Sequence, residues 1–429
     1  MDVALESRPH DSESVSFWAD PAAWFRDKNL GRQFWTFFAV AFFYDAGFAI
    51  YVFLFNLYLL DRHFNERAIG LIGGAATLGS LAGLLPAGMF ARKFGTRPLL
   101  FFCLIAAPLM SVIRTLWMWE PAQIGLGFLA GVAMCSWGVC FLPAIARLTN
   151  EKNRASGFTL IFSASLVTAT LGGVICGYLS QWLARTGLTL PAVEVKRLIL
   201  LASCATAALA LIPALRLRVP APSEEEAAQE AEPLRKGWLH HWKLSVFLTR
   251  FLPLMALWSA VLAAFTPFAN IYLSTNLRIP MTQIGIMFSV VQIVQFSLGL
   301  LAPVVFRVMG LVNGIVSMQL FAAAALGWLA ATHNAQLAIV LYLIFSAAQW
   351  MSAPGLYNLL MNETPDKDRS TASAMTMFCN SLAGSGATAG AGICFTRFGY
   401  PPVLFGITGL AVSVAALFRL IIRPQSHSV

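Results

Sequence analysis

Long apolar runs separated by short polar loops dominate the pattern of this chain. An α-helix needs about 20 mostly apolar residues to cross the hydrocarbon core of a bilayer. Twelve runs satisfy this length, and we predict an all-α polytopic membrane protein with twelve transmembrane helices. They cover residues 32–60, 68–91, 98–119, 122–147, 157–183, 196–217, 245–276, 281–306, 311–331, 335–361, 371–396 and 401–422.

Polar segments divide the predicted helices into two groups of six. Residues 1–31 and 424–429 are predicted to be tails, and residues 218–244 form the one long polar connection. This connection holds the acidic run from Glu224 to Glu232, a composition typical of a linker with little fixed structure. The predicted domains are therefore two helix bundles, 32–217 and 245–423.

The two groups repeat each other at a nearly fixed offset, which indicates an internal duplication. Asn56-Leu57-Tyr58-Leu59 returns 214 residues later as Asn270-Ile271-Tyr272-Leu273. Matches at an offset of 215 residues follow in the same order. They pair Ile69-Gly70 with Ile284-Gly285, Arg92 and Gly95 with Arg307 and Gly310, Asn153-Arg154-Ala155-Ser156 with Asp368-Arg369-Ser370-Thr371, and Gly177 with Gly392.

The loop after the second predicted helix carries a recognisable motif. Its residues are Gly88-Met89-Phe90-Ala91-Arg92-Lys93-Phe94-Gly95-Thr96-Arg97. With the two six-helix repeats, this loop resembles the major facilitator superfamily, whose pattern there is Gly-x-x-x-Asp-Arg-x-Gly-Arg-Arg. The usual Asp is Arg92 here, so the inner latch of the family must differ or be weaker. A second family-like signature is Arg147 followed by Asn153-Arg154-Ala155-Ser156-Gly157.

The resemblance implies a secondary transporter in which two pseudo-symmetric bundles rock around a central site. It also implies that inner-loop residues gate this movement: Gly88, Arg92, Lys93, Gly95, Arg97, Arg147, Arg154, Arg307 and Arg369. Glycines four apart let helix backbones approach closely in lipid. The resemblance places three such pairs between the halves, Gly79 and Gly83, Gly173 and Gly177, and Gly386 and Gly390, although glycine is common in membrane helices anyway.

Charge sets the expected orientation. With the N-terminus inside, 20 of the 29 Lys and Arg residues fall on the inner side. This bias predicts that both termini are cytoplasmic. We expect the protein to be integral to the inner or plasma membrane. The bias also accounts for the net charge of +9 without nucleic acid. No Cys/His spacing indicates a metal site or a disulfide framework, and we expect no cofactor.

One acid lies deep inside an apolar run. Asp45 is thirteen residues from Arg32, about 20 Å along a helix and near the middle of the bilayer. Its repeat partner is Ser259, so the acid belongs to one half only. A charge there is costly unless it faces a partner or water. Three interpretations stay open: proton coupling or substrate contact, a structural pair with a neighbouring helix, and exposure to water without a role.

Other polar side chains are weaker candidates. Arg114 could pair with Asp45, hold an anionic substrate, or extend its charge to the membrane surface. The candidate cavity lining is Tyr44, Asn56, Tyr58, Trp137, Asn270, Tyr272, Gln292, Gln295, Gln349, Trp350 and Asn380. For each of these, bonding between helices is the competing interpretation. The two Asn-x-Tyr segments could form a symmetric outer gate or be ordinary interfacial tyrosines.

These patterns favour a proton-coupled transporter of a small organic solute, acting as a monomer by alternating access. The direction of transport stays open. A drug or metabolite exporter, a lipid flippase and a non-transporting sensor are the alternatives on the same scaffold. The absence of clustered acids and histidines at one membrane face argues against an enzyme. No phosphate-binding loop or nucleic-acid module appears.

Overall fold

The computed structural model describes residues 30–150, 153–185, 191–219, 245–365 and 368–422. Within these ranges the chain is helical, without strands. We number the long helices α1 to α12. They are α1 Arg32–Asp61, α2 Glu66–Phe94, α3 Thr96–Leu116, α4 Glu120–Leu148, α5 Arg154–Arg185, α6 Ala192–Arg216, α7 Val246–Thr275, α8 Met281–Met309, α9 Leu311–Ala331, α10 Ala335–Glu363, α11 Arg369–Phe398 and α12 Tyr400–Ile421. The predicted tails and most of the predicted linker lie outside the described residues.

Three of these helices are interrupted. The segments of α6 are Ala192–Leu209 and Leu211–Arg216, and those of α8 are Met281–Gly299 and Ala302–Met309. In α7, Val246–Phe265 and Ala269–Thr275 are joined by the 3₁₀ turn Thr266–Phe268. Pro267 lies in this turn. Because proline has no N–H to donate, it breaks the helical hydrogen-bond pattern there.

Matched glycines end the second helix of each half. Gly95 follows α2 with φ of 85°, and Gly310 follows α8 with φ of 79°. Residues other than glycine rarely adopt this left-handed backbone conformation. The repeat of Gly95 as Gly310 therefore preserves a backbone turn that starts the next helix.

The helices pack as two bundles, α1–α6 and α7–α12. In the first, α2 packs along α4, and α1 along α5 and α6. In the second, α7 packs along α11, and α9 along α10 and α12. The bundles meet along two extended contacts, α2 with α11 and α5 with α8. We call these two contacts the seams.

Eleven of the described helices are apolar and long enough to cross a membrane. α11, with its many Gly, Ser and Thr residues, is not among them. It packs between α2 of one bundle and α7 of the other. There Ser385 donates to the carbonyl of Gly74 at 2.7 Å and Thr388 to that of Ala263 at 3.0 Å. Its polarity therefore reflects contact with protein rather than lipid.

Candidate functional site

A cavity of about 670 Å³ lies between the two bundles. Helices α1 and α5 form one side, and α7 and α8 form the other. Its lining combines one acid with amides, hydroxyls and aromatic rings. The lining residues are Asp45, Phe48, Ala49, Val52, Phe53, Asn56, Ser165, Thr168, Ala169, Gly173, Thr266, Pro267, Asn270, Phe288 and Gln292.

Asp45 lies on the α1 side of this cavity and is partly exposed to it. The hydroxyl of Ser165 on α5 donates a hydrogen bond to its carboxylate. Among the described residues that line this cavity, Asp45 is the only acid, and there is no Lys, Arg or His. The Ser165 hydroxyl therefore stabilises its carboxylate, and no cation among the described lining residues does so.

Two asparagines close one end of the cavity. The Asn56 side chain donates to the carbonyl of Pro267 at 2.9 Å, and the Asn270 side chain donates to that of Phe53 at 3.0 Å. Donors and acceptors are related by the same repeat offset of 214 residues. These bonds cross from α1 to α7 in both directions. We call this end, where α1 ends and α2 begins, the closed end.

The tyrosines of the Asn-x-Tyr segments have a different role from the asparagines. Tyr58 is buried and donates to the carbonyl of Thr115 on α3 at 3.1 Å. Tyr272 is buried and donates to that of Leu329 on α9 at 3.0 Å. Each tyrosine thus links two helices of its own half and does not line the cavity. Both rings are inside protein, unlike interfacial anchors.

Glycines allow the two seams to pack closely at the closed end. A methyl group on Gly70 of α2 would lie 2.7 Å from the carbonyl oxygen of Thr388 on α11. One on Gly173 of α5 would lie 2.6 Å from the carbonyl oxygen of Gly285 on α8. The Ser289 hydroxyl also donates to the carbonyl of Thr170 across the second seam at 2.6 Å. Backbone contact of this kind requires the absence of a side chain.

The sequence and the shape of the chain agree on its family. The profile of the Major Facilitator Superfamily matches residues 37–388. The chain belongs to the major facilitator superfamily. No curated protein sequence is significantly similar to it.

Solved transporter structures share the fold at low sequence identity. The nucleoside transporter NupG has a TM-score of 0.72 and 17% identity, covering 92% of this chain and 100% of its own. The xylose transporter XylE from E. coli, in an inward-open conformation, has a TM-score of 0.68 and 14% identity, covering 94% and 98%. A bacterial homologue of the human lysosomal transporter Spinster has a TM-score of 0.66 and 16% identity. The match covers 90% of this chain and 95% of the homologue.

In this facilitator, the glycine pairs divide differently from the expectation. Gly173 and Gly177 do pack across a seam, against α8. Gly79 and Gly83 instead pack on α4 within their own half, against Phe128 and Val132. A side chain on Gly386 or Gly390 would meet no atom within 4 Å. The expectation for these last two pairs was wrong. Gly79 and Gly83 lie on the face of α2 that packs against α4, and α11 faces α2 with other residues, Ser385, Thr388 and Gly392.

Arg114 lies behind α1, away from the cavity. It is only 8% exposed, and its guanidinium lies 4.4 Å from the centre of the Phe55 ring. Its Nε has no hydrogen-bond partner, and no carboxylate in the described part of the chain forms a salt bridge with it. Pairing with Asp45 and extension to the membrane surface are therefore both absent. A cation held over an aromatic ring is the arrangement present.

Tyr44 and Trp137 form part of an aromatic cluster in the N-terminal half. Their ring centres are 4.3 Å apart, and the Phe37 ring also stacks on Trp137, at 6.2 Å. Tyr44 is buried and shares a hydrogen bond with the sulfur of Cys103 at 3.2 Å. Neither residue is part of the cavity lining. Tyr44 therefore faces α3, whereas its neighbour Asp45 faces α5 and the cavity.

The polar residues of the C-terminal half separate into lining and bonding groups. Gln292 lines the cavity, whereas Gln295 donates to the carbonyl of Ser346 on α10 at 3.3 Å. Gln349 is outside the lining, and Trp350 on the same helix is 54% exposed beside Gly299. The main-chain oxygen of Asn380 accepts from Ser259 at 3.1 Å.

The inner-loop residues do not form one group. Gly88, Arg92 and Arg147 surround a small cavity of about 280 Å³ between α2, α3 and α4. Lys93 lies over the ring of Phe94, and Arg97 donates to the carbonyl of Leu215 at 3.4 Å. Arg369 donates to the carbonyls of Met361 and Thr364, which ties α11 to the end of α10. Arg154 and Arg307 are exposed.

Sequence reasoning did not identify Ser165, Thr168 and Thr266 as lining residues. Single hydroxyls are common in membrane helices, so their presence alone gives no signal. The repeat did contain a signal for Ser165, because the residue 215 positions later is Asn380, which was a candidate for the cavity lining. The aromatic rings Phe53 and Phe288, 5.3 Å apart at the closed end, gave no sequence signal at all.

Proposed function

We propose that this facilitator is a proton-coupled transporter of a small, uncharged polar organic solute, and that Asp45 is its proton-binding group. The observation that supports this most is the solitary carboxylate on the cavity wall. A carboxyl group in such a place can gain a proton from one side of the membrane and release it to the other. Protonation would remove a costly charge during the half-cycle in which the cavity is sealed from water.

The Ser165 hydrogen bond suits such a group. A serine hydroxyl can donate to the carboxylate, as it does here, and can rotate to accept from a protonated carboxyl. The same partner therefore serves both protonation states. A fixed cation such as Arg114 would instead hold the charged form, and it lies outside the cavity.

The lining supports a neutral polar substrate. Asn56, Asn270 and Gln292 offer amide groups, and Thr168 and Thr266 offer hydroxyls. Phe48, Phe53 and Phe288 supply apolar faces. Small-molecule sites typically combine such surfaces with a few convergent polar groups. The lack of Lys, Arg and His in the lining disfavours an anionic substrate and a lipid headgroup as cargo.

The seams support alternating access. The hydrogen bonds of Asn56 and Asn270 and the close glycine contacts lie on one side of Asp45, towards the closed end. With both termini in the cytoplasm, as the charge bias predicts, the closed end is external and the cavity is accessible from inside. The inward-open form of the similar XylE supports this assignment.

The solutes of similar transporters fit this class. NupG is named for nucleosides and XylE for xylose, and another structure of the latter type is called a D-xylose-proton symporter. These are uncharged, hydroxyl-rich molecules. At 14% to 17% identity these structures share the fold with this chain, and their names agree with the solute class proposed here.

A binding screen followed by a flux assay tests the proposal. Purified protein is heated with a panel of sugars, nucleosides, organic cations and organic anions. A ligand of the folded state raises the melting temperature in proportion to RT ln(1 + [L]/Kd). We expect neutral hydroxylated solutes to stabilise the protein. Uptake of the best ligand into proteoliposomes should then rise with an imposed proton gradient.

The Asp45→Asn variant separates coupling from transport. It should lose gradient-driven accumulation while retaining exchange of the solute across a membrane without a gradient. The variant Ser165→Ala, which keeps the acid, should retain coupling with a changed pH profile. Stabilisation by anions alone, or unchanged proton-driven uptake in Asp45→Asn, would contradict the proposal.

A further inference from the structure

A second large cavity lies at the opposite end of the N-terminal bundle from the closed end. It has a volume of about 890 Å³ and is formed where α1 begins, α3 begins and α6 ends. Its lining is Arg32, Gln33, Trp35, Thr36, Ala39, Phe43, Arg97, Ile212, Pro213, Leu215, Arg216 and Arg218. We call this cavity the arginine groove, after Arg32, Arg97, Arg216 and Arg218.

Among the described residues, no acid compensates the charge of the arginine groove. Its lining includes four arginines and no Asp or Glu. All four side chains are exposed, and none of them forms a salt bridge with a carboxylate in the described ranges. Four guanidinium groups around one cavity create a strongly positive site. Guanidinium groups bind phosphate through two parallel hydrogen bonds, which favours a phosphate ligand.

Hydrogen bonds between side chains and the backbone link the three helices of the groove. Arg97 donates to the carbonyl of Leu215 at 3.4 Å, which links α3 to α6. The backbone N–H of Arg218 donates to the side chain of Gln33 at 2.8 Å, which links the end of α6 to α1. The arginines are therefore brought together by three helices rather than by a single stretch of sequence.

The groove also has an apolar wall. Trp35, Ala39 and Phe43 follow α1 away from the arginines. Ile212 and Leu215 on α6 are 61% and 68% exposed. The groove thus changes from cationic at the helix ends to apolar along the helices, where the bilayer begins. An anionic phospholipid matches this arrangement, because its charged phosphate headgroup is followed by apolar acyl chains.

We propose that the arginine groove binds an anionic phospholipid, with its headgroup phosphate among the four arginines and an acyl chain along Phe43 and Ile212. Basic pockets between membrane helices on the cytoplasmic side bind such headgroups. A free phosphate would use the arginines and leave the apolar wall exposed. This lipid is a bound partner of the bundle and is distinct from the solute in the central cavity.

The acidic linker is the competing occupant. Its first glutamates, Glu224, Glu225 and Glu226, follow Arg218 closely in the sequence. They complement the charge of the groove, but a run of glutamates offers nothing to the exposed Ile212 and Leu215. The apolar wall therefore favours the phospholipid, and the experiment includes a variant that distinguishes the two.

The test measures lipid affinity of the purified full-length chain by native mass spectrometry. The probes are phosphatidylglycerol, phosphatidylcholine and the soluble glycerol phosphate. The variant Arg97→Gln/Arg216→Gln/Arg218→Gln removes three charges from the groove. The control Arg62→Gln/Arg67→Gln/Arg397→Gln removes three exposed charges at the closed end. Elution as a single monodisperse species shows that each variant is folded.

We expect the groove variant to bind phosphatidylglycerol at least about tenfold more weakly, because each basic residue near an anionic membrane surface contributes several-fold. The control should stay within about twofold of the parent, and phosphatidylcholine should bind weakly to all three. Equal losses in both variants, or equal binding of phosphatidylcholine, would overturn the proposal. So would full competition by glycerol phosphate, which would indicate a free phosphate. A drop in lipid-free melting temperature when Glu224, Glu225 and Glu226 are changed to Gln would identify the linker as the occupant.

Discussion

The two halves of this facilitator place the same contact at the same position with different chemistry. In the N-terminal half, Asp45 of α1 accepts a hydrogen bond from Ser165 of α5. In the C-terminal half, Ser259 of α7 donates to the main-chain oxygen of Asn380 on α11. The repeat relates Asp45 to Ser259 and Ser165 to Asn380. The contact has been kept, whereas the ionisable group exists on one side only.

Elsewhere the halves agree more closely. The reciprocal Asn56 and Asn270 bonds, the Tyr58 and Tyr272 bonds, and the two glycine seams all follow the repeat. These contacts seal the closed end and brace each bundle. The duplication therefore preserved the contacts at the closed end and changed the position that carries the ionisable group. Five predictions test this division, and they follow in order of decreasing effect.

Giving α1 the same residue as α7 at the matched position should have the largest effect. Asp45→Ser gives α1 the residue that α7 has, so no carboxyl remains to carry a proton. We expect proton-driven uptake in proteoliposomes to fall by more than about tenfold, which corresponds to about 1.4 kcal/mol. The matched change Ser259→Ala removes only one hydroxyl and should leave most uptake intact.

Transferring the acid sharpens the same comparison. In the double variant Asp45→Ser/Ser259→Asp, the new carboxylate would face the main-chain oxygen of Asn380 instead of a hydroxyl donor. Two acceptors repel, so we expect no recovery of coupled uptake. Recovery would show that the position of the acid is unimportant and that the asymmetry has no function.

Filling a seam should have the next largest effect. A methyl group on Gly70 would already lie 2.7 Å from a carbonyl oxygen, so the side chain of Gly70→Val cannot fit without separating α2 from α11. We expect the closed end to open and most transport to be lost. Labelling of a cysteine placed at Asn56 by a membrane-impermeant thiol reagent measures the opening. Gly386→Val, at a position with open space, is the control and should behave like the parent.

The asparagines should give smaller and equal effects. Asn56→Ala and Asn270→Ala each remove one hydrogen bond between the halves, worth about 1 kcal/mol. Each should shift the population about fivefold towards the form open at this end. Distances between spin labels on α1 and α7 measure the populations. Clearly unequal shifts would show that the closed end is not symmetric in energy.

The tyrosines should affect stability rather than conformation. Tyr58→Phe and Tyr272→Phe each leave one buried carbonyl without its donor, at a cost of about 1 kcal/mol. Because each bond lies within one half, neither change should shift the spin-label distances. Melting temperatures in detergent measure the loss, and a shift of population by either variant would contradict this assignment.

The sequence determined the fold because its signals are long and redundant. Twelve apolar runs and a repeat of constant offset leave few alternative architectures for 429 residues. The repeat also carried detail, since the match of Asn56 with Asn270 corresponds to a reciprocal contact between the halves. Asp45 stood out because a lone acid in an apolar run has few structural explanations.

The direction in which each side chain points could not be predicted from the hydrophobic pattern. Tyr44 and Asp45 are neighbours in sequence but contact different helices, α3 and α5, and periodicity is weak in a helix that is apolar all round. The same difficulty applies to Gly386, because small residues occur on several faces of α11. The aromatic support of Arg114 depends on packing between α1 and α3, which spacing alone does not specify.

The break in α7 has a mechanical consequence. Since Pro267 has no N–H, the carbonyl of Ala263 loses its helical partner, and Thr388 of α11 donates to it at 3.0 Å. The backbone of Thr388 also forms the surface against which Gly70 packs. One residue therefore transmits any bending of α7 directly to the joint between the halves. The equivalent of Pro267 in α1 is Phe53, which keeps its N–H, so the duplicated helices differ in stiffness at matched points. Of this duplicated pair, α7 is broken at the matched point, and α1 continues through it as one unbroken helix.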